Sequence, residues 1–248
     1  MSKFLIAALA LILLGLVIYS PNIARLYKLA NLYNEKSIAK NFININKIFE
    51  TSSPIPASEK PYVFEKMDYD LPESYFFEGE ELKLVDGLDH FHTDGLIILH
   101  DGKMLFEQYW HGNTKDSKHI AFSVSKSYLS ALFGIAVDEG LIDSIDDKVS
   151  KYLNDFDGTG YEDVKIKNLL QMSSGIEFNE DYADPGSDIN RFARATARGS
   201  SFREFAKTLK NGREQGTYNH YVSLDTQVLG MILESVTDMP LREYLYKR

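Results

Sequence analysis

The chain has 248 residues, of which 44% are hydrophobic and 25% are charged, and its formal net charge at pH 7 is -9. A chain of this length and apolar content can bury a full hydrophobic core, which excludes intrinsic disorder as the default. The acidic balance and the absence of a strong Lys or Arg cluster argue against nucleic acid as a partner. The sequence contains no cysteine, which excludes disulfides, thiolate nucleophiles and thiolate metal sites.

The first distinctive segment is an uninterrupted apolar run from Phe4 to Tyr19. At a rise of ~1.5 Å per residue, a helix over this run is ~24 Å long, near the short end for a membrane span. A cleavable signal peptide is the alternative, but no small-residue cleavage site follows, and Pro21 ends the helix. We therefore expect residues 1–21 to be an N-terminal transmembrane anchor or signal. The catalytic domain is then expected to be exported, in a periplasmic or extracytoplasmic location.

Residues 22–60 form a polar, amphipathic stretch that ends in SSPIPASEKP, and its Pro and Ser content is typical of a stalk or linker. A catalytic domain is predicted over residues 61–248. Its first clear element is GLIILHDGKMLFEQYW, two strand-like runs around Asp101 and Gly102. This dipeptide supplies the positive φ angles of a two-residue turn, so the segment predicts a β-hairpin.

A helix is predicted from Ser123, or just before it, to Gly140, because apolar residues recur there at helical spacing. Short helices and loops are predicted in the mostly helical region that follows. The final segment, DTQVLGMILESVTDMPLREYLYKR, predicts an amphipathic helix, a turn at Asp238 to Pro240, and a second helix that reaches Arg248.

Ser123 and Lys126 form an SxxK sequence at the start of the predicted helix. Residues three apart lie on one face of a helix, which places the lysine amine beside the serine hydroxyl. A serine hydroxyl becomes a good nucleophile when an adjacent base removes its proton. The positive end of the helix dipole also favours the negative charge that develops during acyl transfer. The pattern therefore predicts a nucleophilic serine with a lysine partner.

The SxxK spacing alone is a weak signal, because Ser37 and Lys40 match it too. Only Ser123 follows a predicted β-hairpin and opens an apolar helix. The structural alternative for Ser123 is a helix N-cap serine with a solvated lysine. The pattern His90-Phe91-His92 could hold a metal, but no third ligand follows at helical or strand spacing, so no metal site is expected.

The sequence FSVSKSYLSALFGIAVDEGLIDSIDDKVSKYL resembles the active-site region of class C-type β-lactamases and related esterases and peptidases, in the penicillin-binding serine β-lactamase-like superfamily. Downstream, GTYNHYVSLDTQVLGMILE resembles the segment that carries the family's second motif, Tyr-x-Asn. Here that motif is Tyr221-Val222-Ser223. Serine at its third position is similar to the subgroup that includes 6-aminohexanoate-dimer hydrolases. The sequence NEDYADPGSD, from Asn179 to Asp188, resembles the same subgroup.

The resemblance implies an α+β fold in which an antiparallel sheet is flanked by helices, with a mostly helical subdomain. It implies that Ser123 is acylated, that Lys126 and Tyr221 share the proton transfers, and that Ser223 binds substrate. The implied reaction is hydrolysis of a small-molecule ester or amide, without a metal or an organic cofactor. The family's third motif, Lys or His followed by one residue and Gly, is expected beyond Arg248, so the domain is expected to be incomplete at its C-terminus.

Two other functions remain open at this point. One is true β-lactamase or peptidoglycan D,D-peptidase activity, which Ser223 in place of asparagine makes less favourable. The other is a catalytically silent, membrane-tethered binding module that retains the fold. The sequence has no Gly-x-Ser-x-Gly elbow, no phosphate-binding glycine loop and no SDN element. These absences disfavour an α/β-hydrolase, a nucleotide enzyme and a class A β-lactamase.

Overall fold

The computed structural model describes residues 23–24, 27–28, 30–48, 51 and 53–248. They divide into two units, one over Tyr27–Ile120 and one that contains Ala121–Arg248. The predicted transmembrane segment from Phe4 to Tyr19 lies outside the described residues and stays a prediction. None of the helices in the described part of the chain has the length and hydropathy needed to cross a bilayer.

The unit over Tyr27–Ile120 contains short helices and all of the strands that the structure describes. Its elements are α1 (Ile38–Phe42), α2 (Ile45–Ile48), β1 (Glu65–Lys66), β2 (Ser74–Phe77), β3 (Glu80–Lys83), α3 (Leu84–His90), β4 (Gly95–His100) and β5 (Lys103–Tyr109). Helices α1 and α2 fall in the stretch that composition assigns to a stalk. Local order there comes from the Asn41 side chain, whose Nδ2 donates to the carbonyls of Asn31 and Leu32 at 3.1 Å each.

The predicted β-hairpin is confirmed, since β4 and β5 pair antiparallel across Asp101 and Gly102. Both turn residues have positive φ, 48° and 75° respectively. The three-stranded sheet has the order β1-β5-β4, and β1 runs parallel to β5. The sheet is therefore mixed, where the sequence predicted an antiparallel one. The reason is the long connection from β1 to β4, which passes through the separate β2–β3 hairpin and α3 before the chain returns.

The unit with Ala121–Arg248 is helical in its described elements. These are α4 (Val124–Asp138), two 3₁₀ turns (Val149–Lys151 and Asn154–Phe156), α5 (Ile166–Leu170), α6 (Asp188–Ala197), α7 (Phe202–Lys207), α8 (Ser223–Thr237) and α9 (Leu241–Lys247). Helix α4 ends near Gly140, which has φ 72°, as the sequence predicted. The turn between α8 and α9 also lies where it was predicted, with Asp238 in the left-handed region. Helices and small sheets together confirm the predicted α+β class.

Helix α8 lies at the centre of this unit and packs against α4, α5, α7 and α9. Its fully buried side chains include Leu224, Val228, Ile232 and Leu233. Each such side chain contributes about 1.5–3 kcal/mol through burial of apolar surface. The N-terminal end of α8 is therefore held firmly, which matters because the Tyr-x-Ser motif lies at that end.

Candidate active site

Ser123 is the residue that immediately precedes helix α4, and its side chain is exposed. The backbone before it is strained, because Phe122 has φ 42°, a region that bulky residues rarely adopt. Hydrogen bonds close this turn: Val124 N–H donates to Ala121 at 3.0 Å, and Ser125 Oγ donates to the Phe122 carbonyl at 2.5 Å. The turn presents the Ser123 hydroxyl at the positive end of a 15-residue helix.

Three of the predicted site residues meet at one oxygen atom. The Tyr221 hydroxyl donates to Ser123 Oγ at 2.7 Å, and Lys126 Nζ donates to the same oxygen at 3.2 Å. Lys126 Nζ also lies 5.3 Å from the centre of the Tyr221 ring, within reach of a cation–π interaction. Lys126 is half-buried and Tyr221 is 40% exposed, so a substrate can approach the cluster from solvent.

The fourth predicted residue, Ser223, has a different partner. Its Oγ donates to Glu180 Oε1 at 2.5 Å, and its backbone N–H donates to Glu180 Oε2 at 3.1 Å. Among the described residues, the Ser223 hydroxyl bonds to this carboxylate and not to Ser123, Lys126 or Tyr221. Sequence reasoning missed Glu180, although it lies inside the NEDYADPGSD segment and a carboxylate suits the start of a helix.

The residue before Tyr221 is also fixed to the neighbouring loop. His220 N–H donates to the Met172 carbonyl at 2.7 Å, and His220 Nε2 lies 2.7 Å from the Phe178 carbonyl. A carbonyl oxygen only accepts, so His220 Nε2 carries the proton. The Tyr221 backbone is thus held on its N-terminal side by two hydrogen bonds, and on its C-terminal side by the pair between Ser223 and Glu180.

A buried carboxyl group lies in the first turn of α8. Asp225 is fully buried, and the Tyr161 hydroxyl donates to its Oδ1 at 3.0 Å. Within the part of the chain that the structure describes, Asp225 Oδ2 accepts no hydrogen bond. Burial raises the pKa of Asp225 to about 7, and the charge of Glu180 adds to this rise, while the Ser174 and Tyr161 hydroxyls oppose it. Sequence reasoning missed this residue, because one aspartate near a helix start gives no sign of burial.

Metal ligands do not converge at this site. In the described ranges, no three His, Asp or Glu side chains are arranged to hold a metal ion. In the other unit, Asp94 Oδ1 lies 3.1 Å from His111 Nδ1 and Asp94 Oδ2 lies 3.0 Å from His119 Nε2. That carboxylate and those imidazoles already serve as partners for one another.

Comparisons with known proteins identify the family of this chain. The Beta-lactamase family model matches residues 83–248. The 6-aminohexanoate-dimer hydrolase of Paenarthrobacter ureafaciens is 33% identical over 160 residues, which cover 62% of this chain and 40% of that protein. A "Putative D-alanyl-D-alanine carboxypeptidase" of Salmonella agona is 24% identical over 202 residues, which cover 70% of this chain and 46% of that protein.

A solved structure has a similar fold. It is the "Putative 6-aminohexanoate-dimer hydrolase from Bacillus anthracis", with a TM-score of 0.78 at 18% identity, covering 88% of this chain and 59% of that one. The chain thus spans less than half the length of these two curated relatives. The predicted β-lactamase type of fold is confirmed. The match over residues 83–248 shows that this chain belongs to the Beta-lactamase family of serine hydrolases.

Proposed function

We propose that this chain is a serine hydrolase that cleaves an ester or amide bond through an acyl-enzyme on Ser123. The single observation that carries the proposal is the convergence of Tyr221 and Lys126 on Ser123 Oγ, at 2.7 and 3.2 Å. A nucleophile with proton-transfer groups within hydrogen-bond reach is the arrangement that acyl transfer requires. Family membership supports the reaction class, and this geometry supports the residue roles.

The first step is attack of Ser123 Oγ on the carbonyl carbon of the substrate. The hydroxyl proton passes to whichever partner, Tyr221 or Lys126, has itself lost a proton. One of the two hydrogen bonds must then run in the opposite direction, from Ser123 to its partner. The other partner continues to donate, which stabilises negative charge on the serine oxygen.

The second step is collapse of the tetrahedral intermediate. The bond from the carbonyl carbon to the leaving oxygen or nitrogen breaks, and the leaving group takes the proton from Tyr221 or Lys126. Water then attacks the acyl ester, and its proton follows the same route back to Ser123 Oγ. General acid–base help of this kind contributes about 10²–10⁴-fold to the rate.

The backbone at Ser123 supplies a donor for the oxyanion. Its N–H has no acceptor among the described residues, and it lies at the start of α4 beside the strained Phe122. An unengaged amide at a helix N-terminus is well suited to bind the negative oxygen of the intermediate. Loss of one such donor costs about 10²–10³-fold in rate.

Ser223 supports an esterase or amidase over a β-lactamase. Its hydroxyl is engaged by Glu180 rather than free to bind a substrate amide. The substrate-binding role first assigned to Ser223 is therefore replaced, in this proposal, by a structural one. The name of the Paenarthrobacter ureafaciens relative fits this choice, whereas the Salmonella agona relative keeps D,D-peptidase activity as the alternative.

The test is hydrolysis by the 248-residue chain of p-nitrophenyl butyrate, butyryl p-nitroanilide, a penicillin and a D-alanyl-D-alanine peptide. We expect cleavage of the ester or the anilide, and loss of that activity in Ser123→Ala but not in the control Ser37→Ala. Preference for the penicillin or the peptide would favour the alternative enzyme. A folded chain that cleaves none of them, or a Ser123→Ala variant that keeps full activity, contradicts the proposal.

A further inference from the structure

We propose that Glu180 is a positioning residue that holds the Tyr221 hydroxyl at Ser123 by fixing the first turn of α8 through Ser223. The inference rests on the proposed function, because it assigns Tyr221 a proton-transfer role. Glu180 lies 41 residues before Tyr221 in the sequence, so no local spacing rule would pair them. It acts on Tyr221 through Ser223 and not by contact with the reacting atoms.

The contact between Glu180 and Ser223 is bidentate. One carboxylate oxygen accepts from the Ser223 hydroxyl at 2.5 Å, and the other accepts from the Ser223 backbone N–H at 3.1 Å. Ser223 is the first residue of α8, and Val222 before it has an extended backbone with no side-chain capping bond. Glu180 therefore supplies, from a distant loop, the cap that the helix does not make for itself.

This cap controls Tyr221 because only Val222 separates it from Ser223. Val222 is buried at 1% exposure, and the backbone on the other side of Tyr221 is held by the two hydrogen bonds of His220. With both flanks fixed, the exposed phenol has few ways to leave Ser123 Oγ. Loss of the Glu180 contact frees one flank, and a shift of about 1 Å at a reacting group can cost 10²-fold in rate.

The charge of Glu180 also acts on its surroundings. It adds to the rise in the pKa of Asp225, which lies two residues after Ser223 in the first turn of α8. The Tyr182 hydroxyl donates at 3.1 Å to Glu180 Oε1, the oxygen that also accepts from the Ser223 hydroxyl. Among the described residues, the groups that bond to Glu180 are two hydroxyls and one backbone N–H, and none of these is a cation. Removal of the charge should act on Tyr221 by geometry and not by loss of an ion pair.

The experiment compares Glu180→Gln, Glu180→Ala and Ser223→Ala with the wild-type chain. Glu214→Gln is the matched control, since Glu214 is an exposed glutamate seven positions before Tyr221 in the sequence. We expect kcat on the preferred ester or anilide to fall about 10-fold in Glu180→Gln and up to about 10²-fold in Glu180→Ala, with KM within about twofold. Ser223→Ala keeps the backbone bond and should lose less. A variant that carries both Glu180→Ala and Ser223→Ala should be no worse than Glu180→Ala alone.

A second readout does not depend on turnover. The ¹³Cζ resonance of labelled tyrosine, assigned to Tyr221 with the Tyr221→Phe variant, reports the hydrogen bond of its hydroxyl. We expect the resonance to move toward that of a solvated tyrosine in Glu180→Ala and to stay unchanged in Glu214→Gln. An unchanged resonance or an unchanged kcat in a folded Glu180→Ala overturns the inference. If the wild-type chain has no activity but the Tyr221 resonance still moves in Glu180→Ala, only the proposed function is overturned.

Discussion

Two segments of this chain match the SxxK pattern, and among the described residues only the serine of the second bonds to its lysine and to a tyrosine. At Ser37 the hydroxyl donates to the Asn34 carbonyl at 3.4 Å and accepts from Asn41 Nδ2 at 3.2 Å. At Ser123 the oxygen accepts instead from Lys126 and Tyr221, at 3.2 and 2.7 Å.

The difference between Ser37 and Ser123 shows that SxxK spacing alone does not determine which groups bond to the serine oxygen. Ser37 precedes a helix of 5 residues and its oxygen is taken up by neighbours within four positions along the chain. Ser123 precedes a helix of 15 residues and receives a partner from 98 positions away. A residue pair three apart brings an amine near a hydroxyl, but tertiary packing decides whether a third group completes the chemistry.

The sharpest way to test this contrast is to remove each lysine. Lys126→Ala should reduce kcat/KM by about 10²–10⁴-fold, because it removes a proton-transfer partner from Ser123. Lys40→Ala should leave kcat/KM within about twofold, since Lys40 belongs to the segment without a site. Steady-state kinetics on the same ester measures both, with circular dichroism to confirm folding. Equal losses of kcat/KM in Lys126→Ala and Lys40→Ala would contradict the contrast between the two segments.

The next largest effect concerns the third group. Tyr221→Phe removes only the hydroxyl that donates to Ser123, and we expect kcat/KM to fall by about 10²–10³-fold. Tyr218→Phe is the matched control, because Tyr218 is an exposed tyrosine three positions earlier. A pH–rate profile of both variants checks the assignment. A Tyr221→Phe variant with wild-type kcat/KM would leave Lys126 as the sole partner of Ser123.

A smaller effect concerns the buried carboxyl group of Asp225 in α8. The pKa of Asp225 is raised to about 7 by burial, so the folded state favours its protonated form. The stability that this group contributes is complete below its ordinary value of 3.8 and is lost as pH rises through about 7. Asp225→Asn cannot ionise, so its stability relative to wild type should rise by about 1–3 kcal/mol between mildly acidic and mildly basic pH.

Urea unfolding of wild type and Asp225→Asn at about pH 5 and pH 8 measures this difference. Asp238→Asn, at an exposed position in the turn after the same helix, is measured in parallel as the control substitution. A constant gap between wild type and Asp225→Asn at both pH values would mean that Asp225 does not titrate in this range.

The elements that could be predicted from sequence are those with strong local signals. The turn at Asp101 and Gly102 and the helical spacing after Ser123 each lie within one short segment, and both predictions are confirmed. The β2–β3 hairpin was missed, although its turn residues Glu78 and Gly79 both have positive φ. Glutamate is uncommon in such turns, so the sequence gives only a weak sign there.

The residues of the candidate site also divide into those that a local sequence signal predicts and those that only tertiary packing brings together. Ser123 and Lys126 follow from helical spacing, whereas Tyr221 was identified through family resemblance, because α8 packing and not sequence distance brings it to Ser123. The partnership of Glu180 with Ser223 could not be predicted, since both residue types are common on protein surfaces. Burial of Asp225 depends on the packing around α8, which no single-sequence pattern reveals.

The most direct test of the central claim is to find where an acyl group is attached. The chain is incubated with p-nitrophenyl butyrate, quenched in acid, digested, and analysed by mass spectrometry for butyryl-serine. We expect a butyryl group on the peptide that carries Ser123, none on the peptide that carries Ser37, and none in Ser123→Ala. A butyryl group on Ser37 would contradict the claim that Ser123 is acylated. The same claim would be contradicted if Ser123→Ala carried as much butyryl group on another residue as the wild-type chain carries in total.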